Sequence, residues 1–424
     1  MKFQIVVCVI ANIIFSTHTT QLSENVLDVA LLYKYCIGGA IVGLRNHSIL
    51  SITDFKNEDH LSLKNNHSEA KLPTELNPTT VLGQQFPFNV ATVLIKAIRI
   101  NNATTGGDIP HYDSVRQPNS DPNEEIRYLL FTNKNQDKFQ VMKKDGSVEG
   151  TFWNSTGKTK ILIHGLTSDS SMTAIENIWT QHIFDIKDAY LTKKSEVFNV
   201  VVMDWTSLST VPLFRYPDAA NATLLAGENL ATFIVRLLNS GNLRSLEDIH
   251  LIGHSLGSHV AGVTGNKMQK ISTDYVIERI TGLDPAGPCF DSGTGELPKN
   301  TERILDKEDA KFVDIIHTNM GNIINSLGGR YGSSVQAGHV DFYPNGGEFQ
   351  ADCDIIENRI NFCSHQKSVV FYAESILEAF VACPCDTWIA YRSAKCSCDL
   401  TTGGEYFGEY CNKTARGKLY IHKP

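Results

Sequence analysis

Apolar residues are spaced unevenly along the chain, and the spacing divides it into three parts. The first cluster covers residues 3–15, broken only by Gln4 and Asn12 and preceded by one positive residue, Lys2. It is too short for a bilayer span, which needs about 20 residues, and small polar residues follow at 16–20. Residues 1–20 are therefore predicted to be a secretory signal peptide. A second apolar stretch, 26–44, contains Asp28 and Lys34 and is not read as transmembrane. Residues 21–123 are rich in Asn, Thr and Ser, with turn clusters at 101–108 and 117–123 and no sustained period. They are read as an N-terminal extension of unassigned role.

From residue 124 the pattern becomes regular. Short apolar runs at 126–132, 160–163, 197–203, 249–252, 279–283 and 312–316 predict strands. Between and after them, apolar residues at three- and four-residue spacing predict helices over 222–239, 258–268 and 368–380. Strand–helix–strand alternation of this kind predicts one α/β domain over 124–424, with a mostly parallel central sheet and its site at the carboxyl edge of the strands.

Composition narrows the setting. The chain has 424 residues, 42% of them hydrophobic and 20% charged, and a formal net charge of −8. That balance provides no basic footprint for a nucleic acid and no long-range attraction to anionic membranes. Removing Cys8 with the signal peptide leaves nine cysteines, five of them between positions 383 and 411, a crowding that suits disulfides in an oxidising compartment. An odd count leaves a free thiol, expected at Cys289; the pairing of Cys36, Cys383, Cys398 and Cys411 is open. Zinc knuckles usually separate their cysteines by two to four residues, whereas Cys383 and Cys385, like Cys396 and Cys398, are one residue apart. Asn46, Asn66, Asn102, Asn154, Asn221 and Asn412 stand in glycosylation sequons.

The chemistry concentrates at Gly253-His254-Ser255-Leu256-Gly257, where an apolar strand runs into a helix rich in small residues. This strand–turn–helix context makes the motif a nucleophile elbow, with Ser255 at a strained tip and glycines where side chains would collide with neighbouring backbone. A hydroxyl is a weak nucleophile at neutral pH, so an acid and a histidine base should follow in that order. Asp284, at the end of the next predicted strand, fits the acid; Asp314 reads as a structural or sheet-edge residue and Asp341 as a weaker candidate. His317, His339, His365 and His422 all remain open as the base, with His365 placed in a loop between Cys363 and a helix. Two backbone donors should stabilise an oxyanion. They are assigned to the N–H groups of Leu256, after the nucleophile, and Leu166, after the His164-Gly165 turn.

Several blocks together resemble the pancreatic lipase family: His164-Gly165, Val202-Met203-Asp204-Trp205, the elbow, 282–288, 312–318, 338–347 and Cys363-Ser364-His365. They run in the family's order from about residue 124 onward. The resemblance implies an α/β-hydrolase fold, Ser255, Asp284 and His365 as catalytic residues, and oxyanion donors at Leu166 and Leu256. It also implies disulfides Cys353–Cys363, closing a lid loop, and Cys385–Cys396. A lid of nine residues is similar to those of the family's phospholipase A1 members, although the stretch 319–337, at another surface loop of the family, is not short. The family's C-terminal β-sandwich has no counterpart before Pro424, and 302–309 matches the family's calcium segment only loosely, so no metal or other cofactor is assigned.

The expected function is hydrolysis of lipid esters, phospholipid or acylglycerol, at a lipid–water interface outside the cell, by a lipase or phospholipase A1. The alternative is a catalytically silent lipid-binding or storage protein, because the family also resembles insect yolk proteins. Those typically lack the nucleophile.

Overall fold

A computed structural model describes residues 126–167, 182–193, 196–211, 215–291, 302–321, 330–354 and 362–423. The predicted signal peptide, the extension, most of the lid loop and the sequons at Asn46, Asn66 and Asn102 lie outside the described residues. Among the described residues eleven strands form one sheet. They are β1 (Arg127–Phe131), β2 (Gln140–Val141), β3 (Lys158–Ile163), β4 (Phe198–Asp204), β5 (Ile249–His254), β6 (Ile277–Leu283), β7 (Ala310–Ile316), β8 (Val340–Pro344), β9 (Val381–Pro384), β10 (Glu405–Tyr406) and β11 (Gly417–Ile421). The order is β10-β9-β11-β8-β7-β6-β5-β3-β4-β1-β2. From β4 across to β11 neighbouring strands run parallel, and only the outer strands are antiparallel.

Among the described residues the α-helices are α1 (Ile183–Thr192), α2 (Thr206–Ser209), α3 (Tyr216–Asn239), α4 (Leu256–Ile271), α5 (Cys363–Leu377) and α6 (Trp388–Arg392). A central parallel strand is covered on both faces, so its apolar residues need not alternate with polar ones. β3 shows why. Ile161 and Ile163 join the core that includes Leu230 of α3 and Val260 of α4, whereas Leu162 joins the core that includes Ile186 of α1 and Val369 of α5. Helices therefore sandwich the sheet, the α/β-hydrolase arrangement.

Disulfides join Cys353 to Cys363, Cys385 to Cys396, and Cys383 to Cys398. The expected free thiol is corrected: Cys289 is disulfide-bonded, and Cys411 is the free cysteine among the described residues. Cys289 stands apart from the crowded cysteines, so spacing along the chain hid its partner. Cys411 belongs to the crowd, but its side chain is buried in the core with Phe407 and Ala415, and its thiol reaches the Asn412 carbonyl at 3.5 Å. Burial pushes that thiol far above its usual range, so it stays protonated.

Candidate active site

Ser255 holds a strained backbone at the carboxyl edge of β5. Its φ of 56° and ψ of −121° are unusual for any residue with a side chain, and it caps α4 directly after β5. The two flanking glycines make this turn possible. A Cβ on Gly253 would lie 2.2 Å from the Gly257 carbonyl oxygen, and one on Gly257 would lie 2.2 Å from the Ile163 carbonyl oxygen. The first turn of α4 is thus pressed against both β5 and the end of β3. Ser255 N–H donates to Leu283 O at 3.0 Å, tying the serine to the adjacent strand β6.

The register of β5 and β6 sets His254 opposite Leu283, so the residues that follow them, Ser255 and Asp284, leave the sheet side by side. Asp284 also has positive φ, 42°, and its side chain is fully buried. One carboxylate oxygen, Oδ1, accepts from the backbone N–H groups of Thr318 at 2.8 Å and Asn319 at 3.1 Å. The other, Oδ2, accepts from His365 Nδ1 at 2.5 Å. Gly332 leaves room for this carboxylate, since a Cβ there would sit 2.5 Å from both oxygens.

His365 is the third residue of α5, not a loop residue, and the Cys353–Cys363 disulfide secures the start of that helix. The apolar repeat that predicts α5 begins only at Val369, which is why the first turn was not visible. His254 packs its ring 4.7 Å from that of His365, and its Nε2 donates to the His365 carbonyl at 3.3 Å. Burial, and then the nearness of His365, hold the His254 imidazole well below its ordinary pKa, so it remains neutral. Among the four histidines weighed as the base, only His365 meets Asp284. His317 pairs with Asp341 at 2.9 Å, and His339 Nδ1 accepts from Val313 N–H at 3.0 Å. His422 is exposed. Asp314 binds Arg279 inside the sheet, a structural role away from any sheet edge.

Leu256 opens α4, and Leu166 follows the turn after β3. That turn is braced by Trp205, whose indole N–H donates to the His164 carbonyl at 2.9 Å and whose backbone N–H donates to His164 Nε2 at 3.3 Å. His164 Nδ1 then donates to Gly165 O at 2.9 Å. The contact of Gly257 with Ile163 and His164 brings the two backbone segments together.

A family model described as Lipase matches residues 96–422. The chain belongs to the lipase family. It is 36% identical to the pancreatic triacylglycerol lipase of Sus scrofa over 313 residues, covering 70% of this chain and 64% of that protein. The human pancreatic triacylglycerol lipase is 34% identical over 68% of this chain and 60% of its own length. The mouse pancreatic lipase-related protein 2 is 32% identical over 80% of this chain and 73% of its own length. The chain thus spans under two thirds of the length of the triacylglycerol lipases it matches.

Within this lipase-family chain a second polar centre lies away from Ser255, and reading the sequence alone did not find it. Glu409 accepts from Lys160 at 2.8 Å, Tyr190 at 2.6 Å and Tyr372 at 2.7 Å. Arg279 donates to the Gly408 and Glu409 carbonyls, both at 2.8 Å. Burial works to raise the Glu409 carboxyl, but the charges of Lys160 and Arg279 outweigh it and hold the group down at about 2. Lys160 and Arg279 sit in apolar strand runs, and those charged residues were the only signal available. Among the described residues no group of three or more His, Cys, Asp or Glu could hold a metal ion.

Proposed function

We propose that the protein hydrolyses carboxylic ester bonds of lipids, with Ser255 as nucleophile, His365 as general base and acid, and Asp284 as the group that orients His365. Ser255 Oγ attacks the ester carbonyl carbon while its proton passes to His365 Nε2. Asp284 keeps the other ring proton on Nδ1 and stabilises the imidazolium. The tetrahedral oxyanion accepts from the N–H groups of Leu256 and Leu166. As the intermediate collapses, His365 returns its proton to the departing alcohol. Water, deprotonated by the same histidine, then releases the fatty acid from the acyl-enzyme. The observation that carries this reading is the 2.5 Å contact of His365 with Asp284, made beside the strained Ser255 of a lipase-family chain.

The substrate class follows from the family and from the relatives' names, which supports acylglycerols as one class. The loop between Cys353 and Cys363, only nine residues long, favours a second, phospholipid cleaved at one acyl ester as by a phospholipase A1. Three disulfides among the described residues support a secreted protein working at an extracellular lipid–water interface. Residues 124–424 form the catalytic domain in this reading, although the family match begins earlier, at residue 96.

Assaying the purified chain on triolein emulsion and on phosphatidylcholine vesicles tests both parts. Release of fatty acid from either supports the enzyme reading, and the ratio of the two rates decides the substrate class. No release from either lipid, together with unchanged binding of lipid by Ser255→Ala, would point instead to a silent lipid-binding protein.

A further inference from the structure

The acid has its own support beyond His365. Its Oδ1 is held entirely by main-chain N–H groups, those of Thr318 and Asn319. These residues follow His317 at the end of β7, and their carbonyls accept from Gln350 Nε2 at 2.9 Å and from Gly332 N–H at 3.1 Å. His317, the residue before them, sets where this segment leaves the sheet.

His317 is fixed on every side. Its N–H donates to Phe342 O at 2.9 Å, and its ring stacks on Tyr343 at 4.8 Å with 9° between the planes. Ring Nδ1 meets the Ser333 carbonyl at 3.1 Å, and Nε2 meets Asp341 Oδ1 at 2.9 Å. A carbonyl can only accept, so Nδ1 carries a proton. A second proton lies between Nε2 and the carboxylate. Both side chains are fully buried. The opposite carboxylate oxygen of Asp341 accepts from Gly338 N–H at 3.2 Å. Neither group reaches the elbow, and the reaction above does not use them.

We propose that His317 and Asp341 are a positioning pair for the acid, holding the Thr318–Asn319 amide cradle against Asp284 so that its other oxygen meets His365. The proposal rests on the triad reading. The chain of cause runs from Asp341 to the His317 ring, then to the two amides and Asp284, and last to the His365 tautomer. Displacement of a reacting group by about 1 Å can cost about 10²-fold in rate. Substrate contacts would be untouched.

The test is a double-mutant cycle on a soluble short-chain 4-nitrophenyl ester, read as kcat and KM separately, with thermal melting beside it. Asp341→Ala is expected to lower kcat by about 10- to 100-fold with KM within about twofold. Asp341→Asn keeps the hydrogen-bond geometry, with its amide N–H facing Nε2 and its oxygen facing Gly338, and should recover most of the rate. In an Asp284→Ala background, Asp341→Ala should have no further effect on kcat. Should Asp341→Ala fail to fold, His317→Asn replaces it: its amide can still donate to Ser333 O but cannot reach Asp341, and the same pattern is expected.

Wild-type kcat in Asp341→Ala or His317→Asn would overturn the positioning role. So would a loss that simply adds to that of Asp284→Ala, since a general loosening of the fold acts regardless of the acid. Full activity in Asp284→Ala alone would instead defeat the triad reading, a separate and distinguishable result.

Discussion

His365 and Asp284 are 81 residues apart in sequence, yet His365 Nδ1 donates to Asp284 Oδ2 at 2.5 Å. The carboxylate at this contact is fully buried and its other oxygen is taken up by two backbone N–H groups. Replacing Asp284 by Asn keeps the shape but changes the protons. With its oxygen held by the Thr318 and Asn319 amides, Asn would present N–H to His365 and force the ring proton onto Nε2, the atom proposed to receive the Ser255 proton. Asp284→Asn should fold normally and lose about 10⁴ in kcat. Stopped-flow or endpoint assays with a melting curve would check it; loss of activity through unfolding alone would not fit.

The elbow makes a prediction about backbone space. A methyl group on Gly257 would lie 2.2 Å from the Ile163 carbonyl oxygen and 2.6 Å from that of His164, both rigid backbone atoms. Gly257→Ala should therefore shift α4 off β3, separating Leu256 from Leu166 and misplacing Ser255. The expected result is a drop in melting temperature with turnover reduced at least about 10²-fold, as for loss of an oxyanion donor. A stable, fully active Gly257→Ala protein would show that this close approach does not set the turn.

The buried charge cluster gives a pH dependence of stability. Glu409 has a folded-state pKa of about 2, depressed below the ordinary carboxylate value of 4.5. A depressed carboxyl stabilises the fold fully above its unfolded value, and that stability is lost as pH falls from about 4.5 towards 2. Glu409→Gln leaves Lys160 and Arg279 short of a buried counter-charge, and should cost about 3–5 kcal/mol at neutral pH. Urea titrations of both proteins from pH 7 to pH 3 would measure it. The gap between them should shrink at the acid end; a gap that stayed constant or widened would contradict the assignment.

How much of this was legible before folding depended on the kind of signal. All six predicted strands are strands, because a parallel sheet covered on both faces writes continuous apolar runs into the chain. Short strands such as β10, an outer strand of two residues, and β11, with Lys418 and Tyr420 interleaved, carry too little pattern. The α1 helix buries Lys187 on its inner side, so a charged residue interrupts its apolar face. The helix predicted to reach residue 380 ends at Leu377, where the chain turns towards β9.

At the site, the elbow could be read from local sequence because its glycines answer contacts within a few residues and one adjacent strand. The proposed base could not be chosen this way. Ser, acid and His order admits four histidines, and what separates them is tertiary: His317 and His339 are already bound to Asp341 and to Val313, and only α5 carries a histidine to Asp284. The amide cradle of Thr318 and Asn319 leaves no side-chain signal, since the groups involved are main-chain N–H.

The central claim is that Ser255 attacks the ester. The most direct measurement is active-site labelling with a fluorophosphonate, followed by peptide mapping and by turnover of the Ser255→Ala variant. The account predicts one phosphonylated residue, Ser255, and a fall in kcat of about 10⁶ in the variant. Labelling at any other serine, or turnover that survives Ser255→Ala, would contradict it.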